Sequence, residues 1–381
     1  MAREGLGEAA RVRGGGPARR SELDSEGNTM TSVKRTNAAE NAVDLAALGE
    51  IVERFAGKRI VLFGDFVADE FQFGEISRVS REAPVLILRH RGTNVVPGGG
   101  ANAANNLAAL GAKVSPVTIV GEDAAGAALV EYFRTISVDS SGIICAKNWT
   151  TPTKTRFLAG WPHTVAQQVL RVDREPNSPP SEKILAWLTA KLRMKLRSAD
   201  GMAVSDYGFG VVSPAAVKDA TRISKDKPVT LDARYGIDAY SNCGITAATP
   251  NEAELEAVHH TNIGRNMTEL ERCGRVTLKK MGAQALLVTR GKDGMALFER
   301  GRKTPTQIPV HGSDQAVDVT GAGDTVLAAY TLAVASGASP LEAAQIANMA
   351  GGLVVMKRGT AVVTRGELLR AIHAEVSGGA S

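Results

Sequence analysis

The hydrophobic positions of this chain fall into two alternating patterns. Short apolar runs at 60–63, 202–204 and 285–288 end in glycine or a polar residue, which is typical of strands buried in a parallel sheet. Between them, segments such as 184–196 and 267–281 repeat apolar residues every three or four positions and predict helices. Strands that alternate with helices predict an α/β fold with a doubly wound, mostly parallel sheet and helices on both faces.

Two regions depart from this alternation. Within residues 70–96 and 153–174, apolar and polar residues alternate with a period of two, most clearly at 153–158 and 167–173. That period is typical of strands with one exposed face. These regions therefore predict a small β lid outside the main sheet.

Composition limits the domain organisation and the partners. Residues 1–38 carry Arg, Gly and Ser without an apolar run and predict a disordered tail, and we expect residues 39–381 to form one domain. The net charge of +5 is spread along the chain, so we expect no nucleic-acid partner, and no apolar run is long enough to indicate a membrane span. Three cysteines without metal-ligand spacing indicate a reducing, cytoplasmic location.

Polar residues follow several predicted strands. Asp65 and Asp69 come after the strand at 59–64, Asp206 ends the strand at 202–206, and Asn251 ends the strand at 245–251. The carboxyl ends of parallel strands are where open α/β sheets bind ligands. Asp65 and Asp69 are thus candidates to bind substrate hydroxyls, although turn and cap chemistry would also explain them.

Two glycine loops precede predicted helices. Gly321, Ala322 and Gly323 stand just before Asp324 and an apolar run, so their amides could bind a phosphate while Asp324 acts as a general base. The alternative is that Asp324 only caps the helix. The second loop, 97–102, offers Gly99, Gly100 and Asn102 for a polyol, or only allows a helix to pack closely on the sheet.

Asn251 and Glu254 are three residues apart at a predicted helix start and therefore share a face. They predict a site that organises Mg²⁺ through water, because Mg²⁺ keeps several of its waters in proteins. A capping box would give the same spacing.

The two glycine loops together resemble the signatures of the PfkB/ribokinase family of carbohydrate kinases. The resemblance covers about residues 58–376 and implies a ribokinase-like fold and ATP-dependent phosphorylation of a sugar. It implies Mg²⁺ with ATP, a monovalent cation as a further candidate, and a homodimer through the lid strands. The implied ATP-binding residues are Asn251, Thr289, Arg290, Gly291, Gly294, Asn348 and Gly359.

Finer motifs, among them Ser77–Val85 and 167–173, resemble the kinases of D-glycero-β-D-manno-heptose 7-phosphate. This implies transfer to the anomeric hydroxyl on the way to ADP-heptose. Asp206 would then bind the substrate, and its distal phosphate would meet Lys154, Arg156 and Arg171, which could otherwise be exposed strand charges.

One position departs from that pattern, since Phe209 stands where the branch has Lys, and Arg234 is a candidate to replace the charge. No histidine pair of the nucleotidyltransferase type occurs, so we expect kinase activity only. A kinase for ribose, fructose or another sugar phosphate, and a non-catalytic sugar- or nucleotide-binding protein, remain the alternatives.

Overall fold

The computed structural model describes residues 44–161, 164–312 and 316–378. The predicted tail at 1–38 lies outside the described residues. The helices of the described part are α1 (Leu45–Glu53), α2 (Gly100–Ala109), α3 (Ala124–Thr135), α4 (Glu182–Leu196), α5 (Pro214–Ser224), α6 (Glu252–His259), α7 (Met267–Met281), α8 (Ala322–Ala335), α9 (Pro340–Val354) and α10 (Arg365–Gly378).

Nine strands form the main sheet, in the order β13-β12-β11-β10-β9-β8-β1-β4-β5. Their bounds are β1 (Arg59–Gly64), β4 (Lys113–Gly121), β5 (Ile143–Ala146), β8 (Gly201–Asp206), β9 (Val229–Ala233), β10 (Ala247–Ala248), β11 (Ala285–Thr289), β12 (Met295–Glu299) and β13 (Thr306–Ile308). Pairing is parallel from β5 to β11, and β12 and β13 are antiparallel. The predicted doubly wound, mostly parallel sheet is therefore confirmed.

The central strand β1 explains why its sequence is a continuous apolar run. Ile60 and Leu62 pack into a core with α2, α8 and α9, whereas Val61 and Phe63 pack into a second core with α4, α5 and α7. All four side chains are at most 1% exposed. A strand with helices on both faces needs apolar residues at every position. Apolar and polar residues therefore do not alternate along β1.

A second sheet of four strands has the order β3-β2-β6-β7, formed by β2 (Phe66–Val79), β3 (Leu86–Gly99), β6 (Thr153–Gly160) and β7 (Gln167–Arg174). Asp65 is the one residue between the end of β1 and the start of β2, so it connects the two sheets along the chain. β2 and β3 are longer than the strands predicted for this region. As a result, β3 runs directly into α2 and brings the glycines of the second loop to Asp65.

Two details of the main sheet differ from the sequence interpretation. The strand predicted at 245–251 is reduced to Ala247–Ala248, followed by a single bridge between Asn251 and Thr289. Pro250 lies between these pairings and has no N–H to donate to a ladder. β13 was not predicted, because three residues in a polar segment carry too little pattern.

Two properties of the described residues bear on the environment of the protein. Cys145, Cys243 and Cys273 are free thiols. In the described part of the chain, none of the helices combines the length and the apolar character needed to cross a membrane.

Candidate active site

Asp324 lies in the first turn of α8 and is 3% exposed. Gly321 caps this helix with φ +78°, and a Cβ at this position would lie 2.5 Å from Asn102 Nδ2, so glycine is required there. Within the predicted anion hole, the Ala322 amide donates to the Val319 carbonyl at 3.2 Å. That bond closes the turn before the helix, and the anion-binding role of Gly321 and Gly323 stays a prediction.

Asn102 connects the two glycine loops. Its Nδ2 donates to Asp324 Oδ2 at 2.9 Å, across the crossing of α2 and α8. Asn106 Nδ2 donates to Asn102 Oδ1 at 3.2 Å, and the Thr325 hydroxyl donates to Asn106 Oδ1 at 2.9 Å. This buried chain of polar side chains fixes which atom of Asn102 faces Asp324. The sequence interpretation had identified Asn102 but had missed Asn106 and Thr325.

Tyr207 is the second donor to Asp324. Its hydroxyl donates to Asp324 Oδ1 at 3.1 Å. Burial raises the pKa of Asp324 to about 7, while the bonds from Asn102 and Tyr207 oppose that rise. The carboxyl is therefore partly protonated at neutral pH, which suits a general base. The sequence had suggested no role for Tyr207, although its position after β8, among the polar strand ends, was a usable signal.

The carboxylate of Asp65 is occupied by backbone amides, whereas its predicted role requires it to accept a hydrogen bond from a substrate hydroxyl. Its carboxylate accepts three backbone N–H bonds, from Tyr207 at 2.8 Å, Phe209 at 3.2 Å and Val211 at 3.1 Å. It is 1% exposed, and burial and the charge of Asp206 raise its pKa to about 7 against these bonds. Asp65 thus holds the loop after β8, and its binding of a sugar hydroxyl stays a prediction.

The glycines before α2 pack closely on Asp65 and Asp69. The Gly100 amide donates to the Asp65 carbonyl at 2.9 Å, and a Cβ at Gly100 would lie 2.8 Å from that oxygen. Gly99 has φ +54° and would place a Cβ 3.3 Å from the ring of Tyr207. The close packing considered as an alternative is therefore present, and it brings this loop against the tyrosine that contacts Asp324.

Asp69 and Arg156 form a buried ion pair. Arg156 Nη1 lies 2.7 Å from Asp69 Oδ1, and the two side chains are 13% and 6% exposed. The guanidinium also lies 5.4 Å from the ring centroid of Phe71. The two predicted binding residues therefore contact each other, and Arg156 holds Asp69 near the start of β2.

A cavity of about 400 Å³, called the cation cavity below, lies between the four-stranded sheet and the loop after β8. Lys154, Arg171 and Arg234 line it, together with Tyr207 and Phe209. Two of the predicted phosphate-binding cations thus share this cavity, whereas Arg156 is not among its lining residues. Arg234, considered as a replacement for the missing lysine, faces the same space.

Two cations of this cavity lie near the ring of Tyr207. Lys154 Nζ lies 5.3 Å and Arg234 Cζ 5.8 Å from the ring centroid. Burial and the charge of Arg234 lower the pKa of Lys154. Arg171 is paired with Asp173, with Nε 2.7 Å from Oδ1, so an anionic ligand would compete with that carboxylate for Arg171.

Both carboxylate oxygens of Asp206 accept hydrogen bonds from within the protein. One oxygen accepts from the Gly208 amide at 2.9 Å, and the other accepts from the hydroxyl of Tyr240. Asp206 is not among the residues that line the cation cavity. Its carboxylate therefore shapes the loop after β8, and a direct contact with substrate stays a prediction.

Asn251 and Glu254 form a capping box at the start of α6. Asn251 Oδ1 accepts from the Glu254 amide at 2.8 Å, and Glu254 Oε2 accepts from the Asn251 amide at 2.9 Å. The capping box that was considered as the alternative for this pair is therefore present in the structure. Burial raises the pKa of Glu254, against the bonds from Asn251.

Asp232 lies at the end of β9, and the sequence interpretation had counted it among the polar strand ends without giving it a specific role. Its Oδ2 lies 3.8 Å from the Cβ position at Gly323, beside the start of α8. Burial and the charges of Glu254 and Asp324 raise its pKa well above the usual range. No cluster of three acidic, His or Cys ligands occurs among the described residues. Asp232 and Glu254 are instead two carboxylates near enough for their charges to interact, and Mg²⁺ commonly uses one or two carboxylates with substrate phosphates.

A smaller, mostly apolar cavity of about 170 Å³ lies at the N-terminus of α8. The predicted ATP-binding residues Thr289, Gly291, Gly294 and Asn348 line it, with Ala322 and Gly323. Its apolar wall includes Met295, Val326 and Val355. The start of α8 therefore lines this cleft with Ala322 and Gly323, and the next residue, Asp324, contacts Tyr207.

Three of the residues implied for ATP binding lie outside this lining, namely Asn251, whose capping box is described above, Arg290 and Gly359. Arg290 Nε donates to Glu252 at 2.7 Å, and its Nη2 donates to the Gly264 carbonyl at 3.0 Å. The Gly359 amide donates to Asp318 Oδ2 at 2.9 Å. Each thus has a structural partner, and ATP contacts from these three residues stay predictions.

The family model for pfkB family carbohydrate kinases matches residues 58–365. This chain belongs to that family. Among curated relatives of this pfkB family member, the bifunctional protein HldE of Caulobacter vibrioides is 40% identical over 329 residues, 84% of this chain and 65% of the relative. The bifunctional protein HldE of Mesorhizobium japonicum is 37% identical over 330 residues, 85% of this chain and 64% of the relative. The chain thus spans just under two thirds of the length of these two relatives.

Solved structures agree on the fold. Ribokinase of Arabidopsis thaliana, in complex with ribose and ATP, has a TM-score of 0.63 at 22% identity, over 83% of this chain and 99% of that chain. Phosphofructokinase-2 of Escherichia coli, in complex with potassium, has a TM-score of 0.66 at 18% identity, over 84% of this chain and 99% of that chain. The predicted ribokinase-like fold of this pfkB family member is confirmed.

Proposed function

We propose that this protein is an ATP-dependent kinase that phosphorylates the anomeric hydroxyl of D-glycero-β-D-manno-heptose 7-phosphate, giving the 1,7-bisphosphate for ADP-heptose synthesis. The observation that carries the proposal is the cavity lined by Lys154, Arg171 and Arg234 beside the tyrosine that contacts Asp324. The motif resemblance and the relatives named HldE support the choice of sugar. The cations suit a substrate that already carries a phosphate far from the reacting hydroxyl.

In the proposed reaction, the attacking hydroxyl lies against Asp324, which takes its proton as the oxygen bonds to the γ-phosphorus of ATP. The bond from that phosphorus to the bridging oxygen breaks, and ADP leaves. Amides at the start of α8 stabilise the charge on the transferred group. The adenine side of ATP occupies the apolar cleft lined by Gly294 and Asn348.

Mg²⁺ fits the donors at this end of the sheet. Glu254 keeps one carboxylate oxygen outside the capping box, and Asp232 adds a second carboxylate beside α8. When bound with ATP, the ion would neutralise phosphate charge. Asp232 and Glu254 would hold it through water. A monovalent cation is a further candidate, and it is tested by varying K⁺ in the assay below.

The experiment measures ADP release with ATP and Mg²⁺ over a sugar panel. The panel contains heptose 7-phosphate, the unphosphorylated heptose, ribose, fructose and fructose 6-phosphate. We expect the heptose phosphate to give the largest kcat/KM. Preferred turnover of ribose or fructose would favour the alternative of another sugar kinase, and the absence of turnover with every sugar would favour a non-catalytic binding protein.

A variant tests the contact with the distal phosphate. Arg234→Ala should raise KM for heptose 7-phosphate by about 10- to 100-fold, because a hydrogen bond to a charged group contributes roughly 1.5–3 kcal/mol. The KM for ATP should stay unchanged. An equal loss with the phosphorylated and the unphosphorylated heptose would contradict a phosphate contact at Arg234.

We also propose a homodimer through the four-stranded sheet. Leu170 and Val172 of β7 alternate with Arg171 and therefore lie on the opposite face, where they are 54% and 48% exposed. Apolar residues on an exposed edge strand suit a partner sheet. Light scattering should give twice the chain mass, and Leu170→Glu should give the single mass.

A further inference from the structure

Tyr207 contacts both halves of the candidate active site. Its hydroxyl donates to Asp324 Oδ1, and its ring faces Lys154 and Arg234 in the cation cavity. The family resemblance assigned it no role. A phenol that touches the reacting carboxylate and also forms the wall of the substrate cavity can act on the reaction through that carboxylate.

The backbone of Tyr207 is held from a distant part of the chain. The Asp65 carboxylate, between β1 and β2, accepts the amides of Tyr207, Phe209 and Val211. Three bonds to one side chain fix the course of the loop after β8. The buried Asp65 carboxylate thus fixes the backbone position from which the Tyr207 hydroxyl reaches Asp324.

We propose that Tyr207 is a positioning residue for the reaction, whose hydroxyl donates to the Asp324 carboxylate and favours its ionised form, which accepts the proton of the attacking hydroxyl. The proposal rests on the proposed function, since that function makes Asp324 the base. The transferred proton moves from the sugar oxygen to Asp324 as the bond to the γ-phosphorus forms. Tyr207 keeps its own proton throughout.

The charges around Asp324 explain why a neutral donor matters. Asp69 on β2 and Asp232 at the end of β9 are acidic neighbours that disfavour its charged form, and burial does so more strongly. Lys154 on β6 opposes them. Asn102 and Tyr207 are the direct donors, and burial raises the pKa of Tyr207 well above the usual range, so its hydroxyl stays protonated.

The test replaces Tyr207 with Phe, which keeps the ring against Lys154 and Arg234 and removes only the hydroxyl. Proteins labelled with ¹³C at the Asp carboxyl carbons are titrated by NMR, and the Asp324 signal is assigned by its loss in Asp324→Asn. Tyr207→Phe should raise the pKa of Asp324 by about 1 unit, because a donor to a charged acceptor is lost. The acidic limb of kcat/KM should move upward by the same amount.

The control is Tyr235→Phe, which removes a phenol from the same cavity without a bond to Asp324. It should leave the Asp324 titration unchanged. An unchanged titration in Tyr207→Phe overturns the proposal whatever the sugar. A shifted titration in a protein that does not turn over heptose 7-phosphate would reject the proposed substrate and leave the role of Tyr207 intact.

If Tyr207→Phe does not fold, a second measurement tests the proposal without that variant. The five tyrosines of the native chain are replaced with 3-fluorotyrosine, a stronger hydrogen-bond donor. The pKa of Asp324 should then fall, opposite to the effect of Tyr207→Phe. A rise, or no change, would contradict the proposal.

Discussion

Replacing Asp324 with Asn should make the stability of the protein less dependent on pH while it removes the base. The pKa of Asp324 is raised from its ordinary value of 3.8 to about 7 by burial. The folded state therefore holds this proton more strongly than the unfolded chain. The resulting contribution to stability is fully present below pH 3.8 and is lost as the pH rises through 7. Asparagine has the same shape and no charge, so its stability lacks this dependence.

The size of the effect follows from the two pKa values. Between pH 5 and pH 8, the free energy of unfolding of the wild type should fall relative to Asp324→Asn by about 2–3 kcal/mol. The two hydrogen bonds can survive the change, since an amide oxygen can accept from Asn102 and the Tyr207 hydroxyl can accept from an amide N–H. Any constant difference between the proteins cancels in this comparison.

Urea unfolding at pH 5 and pH 8, with equal slopes for both proteins, measures this difference. Asp226→Asn is a matched control, since Asp226 is exposed on the loop after α5, and its difference from the wild type should be the same at both pH values. A pH-independent difference for Asp324→Asn would refute the reasoning. The buried carboxyl would then not hold its proton more strongly in the folded state.

Three further predictions concern activity. Asp324→Asn should lower kcat by about 10²- to 10⁴-fold, the usual contribution of a general base, while calorimetry still detects ATP binding; near-normal turnover would exclude Asp324 as the base. In the wild type, kcat/KM should fall about tenfold per unit below about pH 7, where Asp324 becomes protonated, and a flat profile from pH 5 to 8 would contradict this. Gly321→Ala should cost about 1–3 kcal/mol of stability and lower kcat, since φ is +78° and the new Cβ would push Asn102 from Asp324. Gly337→Ala, at φ +89° with no atom within 4 Å, is its control and should lower stability without lowering kcat.

The sequence predicted the sheet and the position of the site because both depend on local patterns. The run at 60–63 is apolar at every position since β1 is buried on both faces. The glycine loops were recognisable by residue type, and the structure brings Asn102 from one loop to Asp324 in the other. Ends of parallel strands meet at one edge, so polar residues there could be grouped before the fold was known.

The partners of individual side chains could not be predicted, because they depend on register and on contacts between distant segments. Arg156 meets Asp69 since β6 pairs with β2 in a particular register. Arg290 pairs with Glu252 on α6 and is not among the residues that line the nucleotide cleft. The role of Asp65 depends on a loop more than 140 residues away, which no local pattern contains.

The number of hydrogen bonds already accepted, rather than pKa, distinguishes the two buried carboxylates as candidates for the base. Burial raises the pKa of both Asp65 and Asp324 to about 7, so both would be partly protonated at neutral pH. A carboxylate offers about four lone-pair positions. Asp65 gives three of them to backbone amides, and its side chain faces the loop it holds. Asp324 gives two to Asn102 and Tyr207, which leaves positions for a hydroxyl and its proton at the start of α8, beside the nucleotide cleft.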